Sequence, residues 1–388
     1  MITWSYPTRV LFGAGCRSAL PAEAAELGMK RPLVVTDPGL KDLPFIAELR
    51  GLLDEAGLAN GLFTDIKPNP LIENLEAGLA VFREGGYDGV ICVGGGSAMD
   101  CGKTIAFMAP QSLPVWHFED VGDNWKDANP EGIAPIIAIP TTAGTGSEVG
   151  RAGVIGDAAR GFKKIIFHPQ MLPAVVIEDP ELSVGLPAGL TAATGFDALA
   201  HCLEAYSTTA FHPMSDGIAV EGIRLVKENL PRAVTDGGDL EARGQMLIAA
   251  SMGAVAFQKG LGAIHSLSHA VGALFDTHHG RTNAVMMPYV LAFNRSQVEG
   301  KLARLAAYLD LPPSYEGFFD WMMATRSALG IEHTLADLIG ERDRQVERVI
   351  ELSVTDPTAP SNPRTLDRDG AARLYEAALS GSLRGLSD

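Results

Sequence analysis

Residues 89–103 read GVICVGGGSAMDCGK, and this run decides the architecture. Its first part is a short apolar stretch carrying Val90, Ile91 and Val93. A continuous apolar strand suits a sheet buried on both faces, which means parallel strands with helices on either side. Three glycines follow, and the remainder reads as a helix running to about residue 109. Working outward, other short apolar runs end in turn or polar residues, at 32–37 (PLVVTD), 61–66 (GLFTDI), 136–142 (IIAIPTT) and 174–179 (AVVIED). Helical patterns at 18–27 and 71–84 lie between them. This alternation predicts an open α/β domain with a parallel sheet.

The texture changes at 179–187 (DPELSVGLP), where proline and glycine interrupt the pattern. Beyond it, amphipathic patterns at 191–206, 216–229, 240–255, 297–309 and 371–379 predict helices, and no convincing strand is found. The expected organisation is an α/β domain over 1–183 and an all-helical domain over 184–388, without internal repeats or low-complexity segments.

Composition narrows the function classes. The 388 residues carry 31 Lys+Arg against 47 Asp+Glu, a net charge of −16, which argues against nucleic acid or an anionic membrane as the main partner. Hydrophobic residues make up 46%, enough for a substantial core. No stretch approaches the ~20 apolar residues of a membrane span. The start of the chain, MITWSYPTRVLFGAG, lacks a basic segment followed by an apolar run, so no signal peptide is expected. Cys16, Cys92, Cys101 and Cys202 are scattered and form no C-x-x-C pair, as in a reduced, cytoplasmic protein.

Three groups of residues are candidates for chemistry. Gly94, Gly95, Gly96 and Ser97 join a strand to a helix, where unpaired first-turn N–H groups and the helix dipole suit a pyrophosphate. The spacing GGGS-x-x-D-x-x-K, ending at Asp100 and Lys103, differs from the dinucleotide G-x-G-x-x-G pattern, and a tight turn that merely needs glycine explains it equally well. Asp37 ends the strand at 32–37, where an α/β sheet exposes its ligand crevice. A carboxylate there can accept both ribose hydroxyls and repel a 2′-phosphate; an ordinary turn Asp before Pro38 and Gly39 is as common. Thr141, Thr142, Thr145 and Ser147 form a second loop of hydroxyls and glycines after a strand.

The third group is histidine. Four of the nine histidines fall between His265 and His279. Asp197 and His201 lie four apart in a predicted helix, so both project from one face, and His265 and His269 repeat the spacing. A carboxylate with imidazoles suits a divalent first-row metal, iron or zinc, rather than calcium. Spacing alone leaves open which four side chains coordinate.

Together these residues resemble the iron-containing (group III) alcohol dehydrogenase family across essentially the whole chain. The resemblance rests on GGGSAMDCGK at 94–103, PTTAGTGSEV at 140–149, GLPAGLTAATGFDALAHCLEAY at 185–206, GLGAIHSLSHAVG at 260–272 and HHGRTNAVMMP at 278–288. It implies a dinucleotide-binding first domain and a helical metal-binding second domain. It further implies NAD and Fe²⁺ (with Zn²⁺ possible) as cofactors, and a homodimer or larger homo-oligomer. The implied metal ligands are Asp197, His201, His265 and His279. His269 corresponds to a non-ligand histidine near nicotinamide and substrate, a candidate for relaying the alcohol proton. Asp37, Gly95, Gly96, Ser97, Asp100, Thr141, Thr142, Thr145 and Lys163 correspond to positions lining the cofactor. The family commonly has Asp where this chain has His168, a departure next to the cofactor-lining strand.

Within the family the motifs are most similar to 4-hydroxybutyrate dehydrogenases, through Ser147, Glu148, Val149 and Arg151 and through AFQKGLG at 256–262. The substrate expected from that resemblance is an ω-hydroxy acid and its semialdehyde, with simple alcohols or diols such as 1,3-propanediol as the alternative. Lys259 sits in an apolar, glycine-rich segment poor in nearby acids. It and Arg151 are therefore expected to meet a substrate anion, while small residues at Ala152, Gly153 and Ala256 leave room for a short carbon chain. A dehydroquinate synthase-like lyase, a glycerol dehydrogenase-like enzyme and a non-catalytic relative are competing readings. The intact Asp, His, His, His set weighs against all three.

Overall fold

The computed structural model describes residues 4–6, 8–157 and 162–387, so the N-terminal stretch read for a leader falls outside it at 1–3 and 7. The chain divides into two units, Met1–Leu186 and Pro187–Asp388. Among the described residues no single helix is long and apolar enough to cross a membrane.

The first unit runs β1 (Arg9–Phe12), α1 (Leu20–Glu26), β2 (Pro32–Val35), α2 (Pro44–Glu55), β3 (Gly61–Phe63), α3 (Ile72–Glu84), β4 (Gly89–Gly94), α4 (Gly96–Met108) and β5 (Ile136–Pro140). It continues through β6 (Ala152–Asp157), β7 (Phe162–Phe167) and β8 (Val175–Glu178). Six strands form one sheet in the order β1-β8-β5-β4-β2-β3, and every pairing in it is parallel. All six residues of β4 are buried, as its unbroken apolar run requires. Val34, Ile91, Val93, Ile137, Ile139, Val175 and Ile177 pack with Leu20, Ile46, Leu49 and Leu53 from α1 and α2. Each such side chain contributes about 1.5–3 kcal/mol of burial.

Topology places the ligand end. From β2 the chain moves outward to β3, then returns to lay β4, β5 and β8 on the other side. The winding therefore reverses between β2 and β4, and a parallel sheet opens its crevice at the carboxyl ends of such a pair. Asp37 follows β2 there, and the three glycines end β4 there.

Two features escape the periodicity. The edge strand β1 is only four residues and half-exposed, so it lacks the apolar run of its neighbours. The β6–β7 hairpin is antiparallel, pairing Ala152 with Phe167 through Asp157 with Phe162, where the sequence alone predicts no strand. Adjacent lysines at 163 and 164 break the alternation in β7.

The second unit is helical: α5 (Ala188–Ser207), α6 (Pro213–Thr235), α7 (Leu240–Ala256), α8 (Ala263–Phe275), α9 (His279–Tyr308), α10 (Tyr315–Ala328), α11 (Leu335–Ile339), α12 (Val346–Thr355) and α13 (Arg368–Ser380). Periodicity predicts α9 only over 297–309. Its first half is buried all round, from Thr282 through Asn294, so no polar face marks it. Pro288 inside α9 removes one N–H and leaves the Ala284 carbonyl without its helical partner. The buried Arg326 of α10 donates there, Nη1 lying 3.5 Å from Ala284 O and 3.3 Å from Val285 O.

α5 packs against α6, α7 and α9, and glycine sets two of the approaches. A Cβ at Gly280 would stand 2.3 Å from the Ala193 carbonyl oxygen, so the first turn of α9 rests on the α5 backbone. A Cβ at Gly253 would stand 2.9 Å from His201 Cβ, bringing α7 equally close beneath that histidine.

Candidate functional site

In the second unit, Asp197, His201, His265 and His279 converge. Asp197 and His201 share a face of α5, His265 comes from the first turn of α8, and His279 opens α9. Each offers one ligand atom, and these atoms all lie within 4.8 Å of one another. From Asp197 Oδ1, the Nε2 atoms of His279, His265 and His201 lie at 3.4, 3.8 and 3.9 Å. Tetrahedral coordination at bonds of about 2.1 Å places ligand atoms about 3.4 Å apart, so the donor set fits a first-row ion with small adjustment. The rings of His201 and His265 stack at 4.6 Å, and Phe257 closes on His201 at 5.2 Å. Three of the four residues are buried; His279, 25% exposed, marks the open side.

Partners behind these four side chains fix their directions. Glu204, seven residues after Asp197 on the same helix, has one carboxylate oxygen 2.6 Å from His265 Nδ1 and the other 2.7 Å from the Ile264 backbone N–H. Burial pushes its carboxyl up to about 7, against the pull of backbone N–H donors at Ile264 and Gly262. Burial, with His201 adding to it, holds His265 well below its ordinary value, so the ring is neutral. Asn283, one turn into α9, points Nδ2 at Asp197 Oδ1 (2.7 Å), His279 Nε2 (3.1 Å) and His265 Nε2 (3.2 Å). Its two N–H groups serve at most two of these three at once, and an atom that accepts one carries a lone pair, the form a metal needs.

His269, the candidate proton relay, stacks on His279 at 5.3 Å and meets Asp356 Oδ2 through Nδ1 at 2.9 Å. Thr358 donates its hydroxyl and its backbone N–H to the other Asp356 oxygen. Burial alone would raise the Asp356 carboxyl; His269 and the Thr358 donors hold it below the usual carboxylate range.

In the first unit the glycine loop meets its expected neighbours. Gly94 has φ 146, a region closed to residues with a Cβ; one built there would lie 2.9 Å from Ala98 Cβ and 3.4 Å from Asp37 Oδ2. A Cβ at Gly95 would be 3.1 Å from Thr142 Oγ1, and one at Gly96 would be 2.7 Å from Thr145 Cγ2. Asp37, the three glycines, Thr142 and Thr145 thus lie together at the carboxyl ends of β2, β4 and β5, and the Thr141 N–H closes the group on Gly94 O at 3.0 Å. Asp37 also takes the Gly39 N–H at 2.9 Å, so the turn function coexists with the exposed carboxylate.

Other candidates have structural partners. Ser97 donates its hydroxyl to the Pro68 carbonyl. Asp100 accepts from the Ser147 hydroxyl and, at 3.0 Å, from the Val154 N–H, tying α4 to β6. Lys103 is buried beside it and donates to Ser147 O and Oγ at 2.8 and 2.7 Å. Lys163 stands opposite Gly156 in the β6–β7 hairpin. His168 stacks on Phe107 at 5.2 Å, accepts the Gln170 N–H, and is held below its ordinary value by burial.

Two premises of the substrate expectation do not hold. Lys259 is buried but not uncompensated: Asp216 of α6, 43 residues away, makes an ion pair with it, and the Tyr206 carbonyl lies 3.4 Å from Nζ. An acid distant in sequence neutralises it. Gly153 is small because β6 presses on α4, where a Cβ would sit 2.7 Å from the Asp100 carbonyl oxygen, and Ala256 is wholly buried. Neither supplies substrate room. Arg151 lies with its guanidinium over the Phe167 ring at 5.6 Å, and its charge draws down the carboxyl of Asp120, which burial raises.

The comparisons agree with this geometry. The 4-hydroxybutyrate dehydrogenase of Cupriavidus necator is 36% identical over 384 residues, covering 96% of this chain and 99% of its own. The NAD-dependent methanol dehydrogenase of Bacillus methanolicus is 33% identical over 388 residues, covering 98% and 100%. A solved structure of 1,3-propanediol oxidoreductase superposes with a TM-score of 0.92 at 34% identity, covering 98% of this chain and all of that one. Residues 7–180 match the profile of iron-containing alcohol dehydrogenase, and residues 191–379 match the C-terminal profile of the same family. With both halves matched and the Asp, His, His, His cluster assembled in the second, the chain belongs to the iron-containing alcohol dehydrogenase family.

Proposed function

We propose that the chain interconverts a primary alcohol and its aldehyde by hydride transfer with NAD, and that its preferred substrate is an ω-hydroxy acid and the corresponding semialdehyde. The convergence of Asp197, His201, His265 and His279 carries the reading. These four would hold a divalent ion, Fe²⁺ first and Zn²⁺ next, which when bound supplies Lewis acidity that lowers the pKa of an alcohol and polarises a carbonyl. A single carboxylate in the set offsets only part of a double charge, so that acidity survives.

The remaining work belongs to the protein's own groups. His269, whose Nδ1 is engaged by Asp356, has Nε2 left to take the alcohol proton and pass it on. The N–H groups around Gly95 and Gly96 bind the pyrophosphate at the start of α4, and Thr142 and Thr145 add hydroxyls. Asp37 accepts the ribose hydroxyls and disfavours a 2′-phosphate. Arg151 is the residue assigned to the substrate carboxylate, supported by the motif shared with 4-hydroxybutyrate dehydrogenases. The neutralisation of Lys259 by Asp216 favours a second reading, a small neutral alcohol or diol, because it removes one of two expected anion contacts.

The test is NADH oxidation after reconstitution with Fe²⁺ or Zn²⁺, comparing kcat/KM for succinic semialdehyde and butyraldehyde in the native protein and in Arg151→Ala. A carboxylate advantage that disappears in Arg151→Ala supports the ω-hydroxy acid. Native preference for butyraldehyde selects the neutral-alcohol reading, and no turnover of any aldehyde with either metal removes the dehydrogenase.

A further inference from the structure

An acid in the last turn of an apolar helix is poorly placed. Glu204 is buried, and it lies next to the negative end of the α5 dipole, three residues before the helix stops. What it faces explains why it is there. Its carboxylate spans the first turn of α8, with Oε1 on the Ile264 N–H at 2.7 Å and Oε2 on His265 Nδ1 at 2.6 Å. Gly262 keeps the approach open, since a Cβ there would stand 3.0 Å from Glu204 Oε1. On the far side of the same imidazole, Asn283 Nδ2 is 3.2 Å from Nε2. A carboxylate that accepts from Nδ1 places the ring proton there and leaves the lone pair on Nε2, the side that faces Asn283.

We infer that Glu204 is the positioning residue of the metal site: it anchors the α8 N-terminus with one oxygen and, with the other, fixes His265 as the tautomer whose Nε2 faces the ion. The inference rests on the metal reading above and adds a residue outside the ligand set. Carboxylates behind ligating histidines fix ring orientation and raise ligand basicity. Here the same carboxylate also sets the helix that carries the ring, so ligand direction and helix position cannot drift apart.

Glutamine tests this because it cannot do both tasks. If its oxygen caps Ile264, its NH₂ faces Nδ1 and forces the proton to Nε2, where it blocks coordination. If its oxygen takes the Nδ1 proton, the cap is lost to a donor facing a donor. The experiment measures Co²⁺ and Zn²⁺ dissociation constants of the metal-free full-length protein by chelator competition, in native and Glu204→Gln forms, with ¹⁵N spectra of the His265 ring. Weakening by about ten- to a hundred-fold, with the proton moved from Nδ1 to Nε2 in the variant, is the expected result. Affinity unchanged within two-fold while the apo protein merely melts earlier reduces Glu204 to a structural cap and overturns the inference. Should Glu204→Gln fail to fold, the native apo spectrum still decides, because an Nε2–H tautomer at His265 overturns it. Failure of the native protein to bind either ion refutes the metal site itself, a separate outcome.

Discussion

As proposed above, residues 94–96 would offer a ligand the backbone, whereas Asp197, His201, His265 and His279 would offer side chains. The glycine loop sits at strand ends, where Asp37 is partly exposed and polar neighbours also have local tasks, as with Ser97 on Pro68 and Asp37 on Gly39. Its specificity lies in what is missing, the Cβ atoms that Ala98, Thr142 and Thr145 exclude. The histidine cluster is the reverse. Its ligands are mostly buried on three helices, and Glu204, Asn283 and the close contact at Gly280 hold them in place. A backbone site tolerates change in side chains that merely surround it, whereas a side-chain site depends on its supports as much as on its members.

The largest expected effect follows at once. His265→Ala removes one of four ligands and leaves Glu204 buried without its partner. Turnover should fall at least about a thousand-fold, since several kcal/mol of Lewis-acid stabilisation go with the metal. Metal content of the purified variant and binding of NADH to the first unit are the two measurements. Loss of metal with NADH binding intact sharpens the contrast between the units; retention of full activity and metal breaks the site assignment.

Next come two glycine substitutions that probe the different supports. Gly280→Ala drives a methyl into the Ala193 carbonyl and pushes His279 off Asp197; a cost of about 1–3 kcal/mol is expected, read as weaker Zn²⁺ binding at unchanged NADH affinity. Gly94→Ala forces a side chain into a positive-φ position and against Ala98, with a similar cost of about 1–3 kcal/mol. There the NADH dissociation constant should rise while Zn²⁺ affinity holds. If the two variants fail in the same way, the sites are not supported independently.

These supports are what the sequence conceals. The parallel sheet is legible because VICV and IIAI are unbroken apolar runs, and Asp197 with His201 because four residues make one helical turn. Glu204 lies on that same face at the next turn, and the i, i+4, i+7 spacing could have exposed it. Asn283 is likewise four after His279. Asp356 has no local signal: it reaches His269 across 87 residues, and only the packing of α12 on α8 joins them. The first half of α9 escapes because a helix buried on every side has no period to read. The Lys259 expectation fails for the same reason, since chemistry inferred from neighbours in sequence overlooks Asp216.

A smaller effect belongs to Asp37. If Asp37 faces the 2′-phosphate of NADP, as proposed, its carboxylate repels like charge by up to about 4 kcal/mol at short range and modest dielectric. Because Asp37 is partly exposed, solvent and salt leave about ten-fold of discrimination. Asp37→Gly should therefore bring KM for NADPH toward that for NADH without changing metal affinity, and salt should blunt the native preference. Equal use of both cofactors by the native protein contradicts the assignment.

The smallest expected effect is no effect, at Lys259. Its ammonium is buried, and Asp216 and the Tyr206 carbonyl occupy it. Next to it Lys301 donates to the carbonyls of Tyr206 and Thr208 at 2.9 and 2.7 Å, closing the end of α5. Burial, then the charge of Lys259, push Lys301 down to about 8, so two cations already compete for one carboxylate. Removing Lys259 alone would leave Asp216, whose side chain is 34% exposed, facing only Lys301, an altered charge arrangement that would blur any reading of substrate choice. The paired variant Lys259→Met with Asp216→Asn removes both charges together. With Asp216 as the lysine's true partner, the ratio of kcat/KM for succinic semialdehyde to that for butyraldehyde stays within about two-fold of native, a difference worth under about 0.5 kcal/mol. Loss of Lys259's charge raises Lys301 while loss of Asp216's lowers it and burial persists, so only a small net rise is expected, which ¹⁵N shifts of the lysine ammonium follow directly. A ten-fold fall in the carboxylate preference, with Lys301 unmoved, would return Lys259 to the substrate and take Asp216 from it.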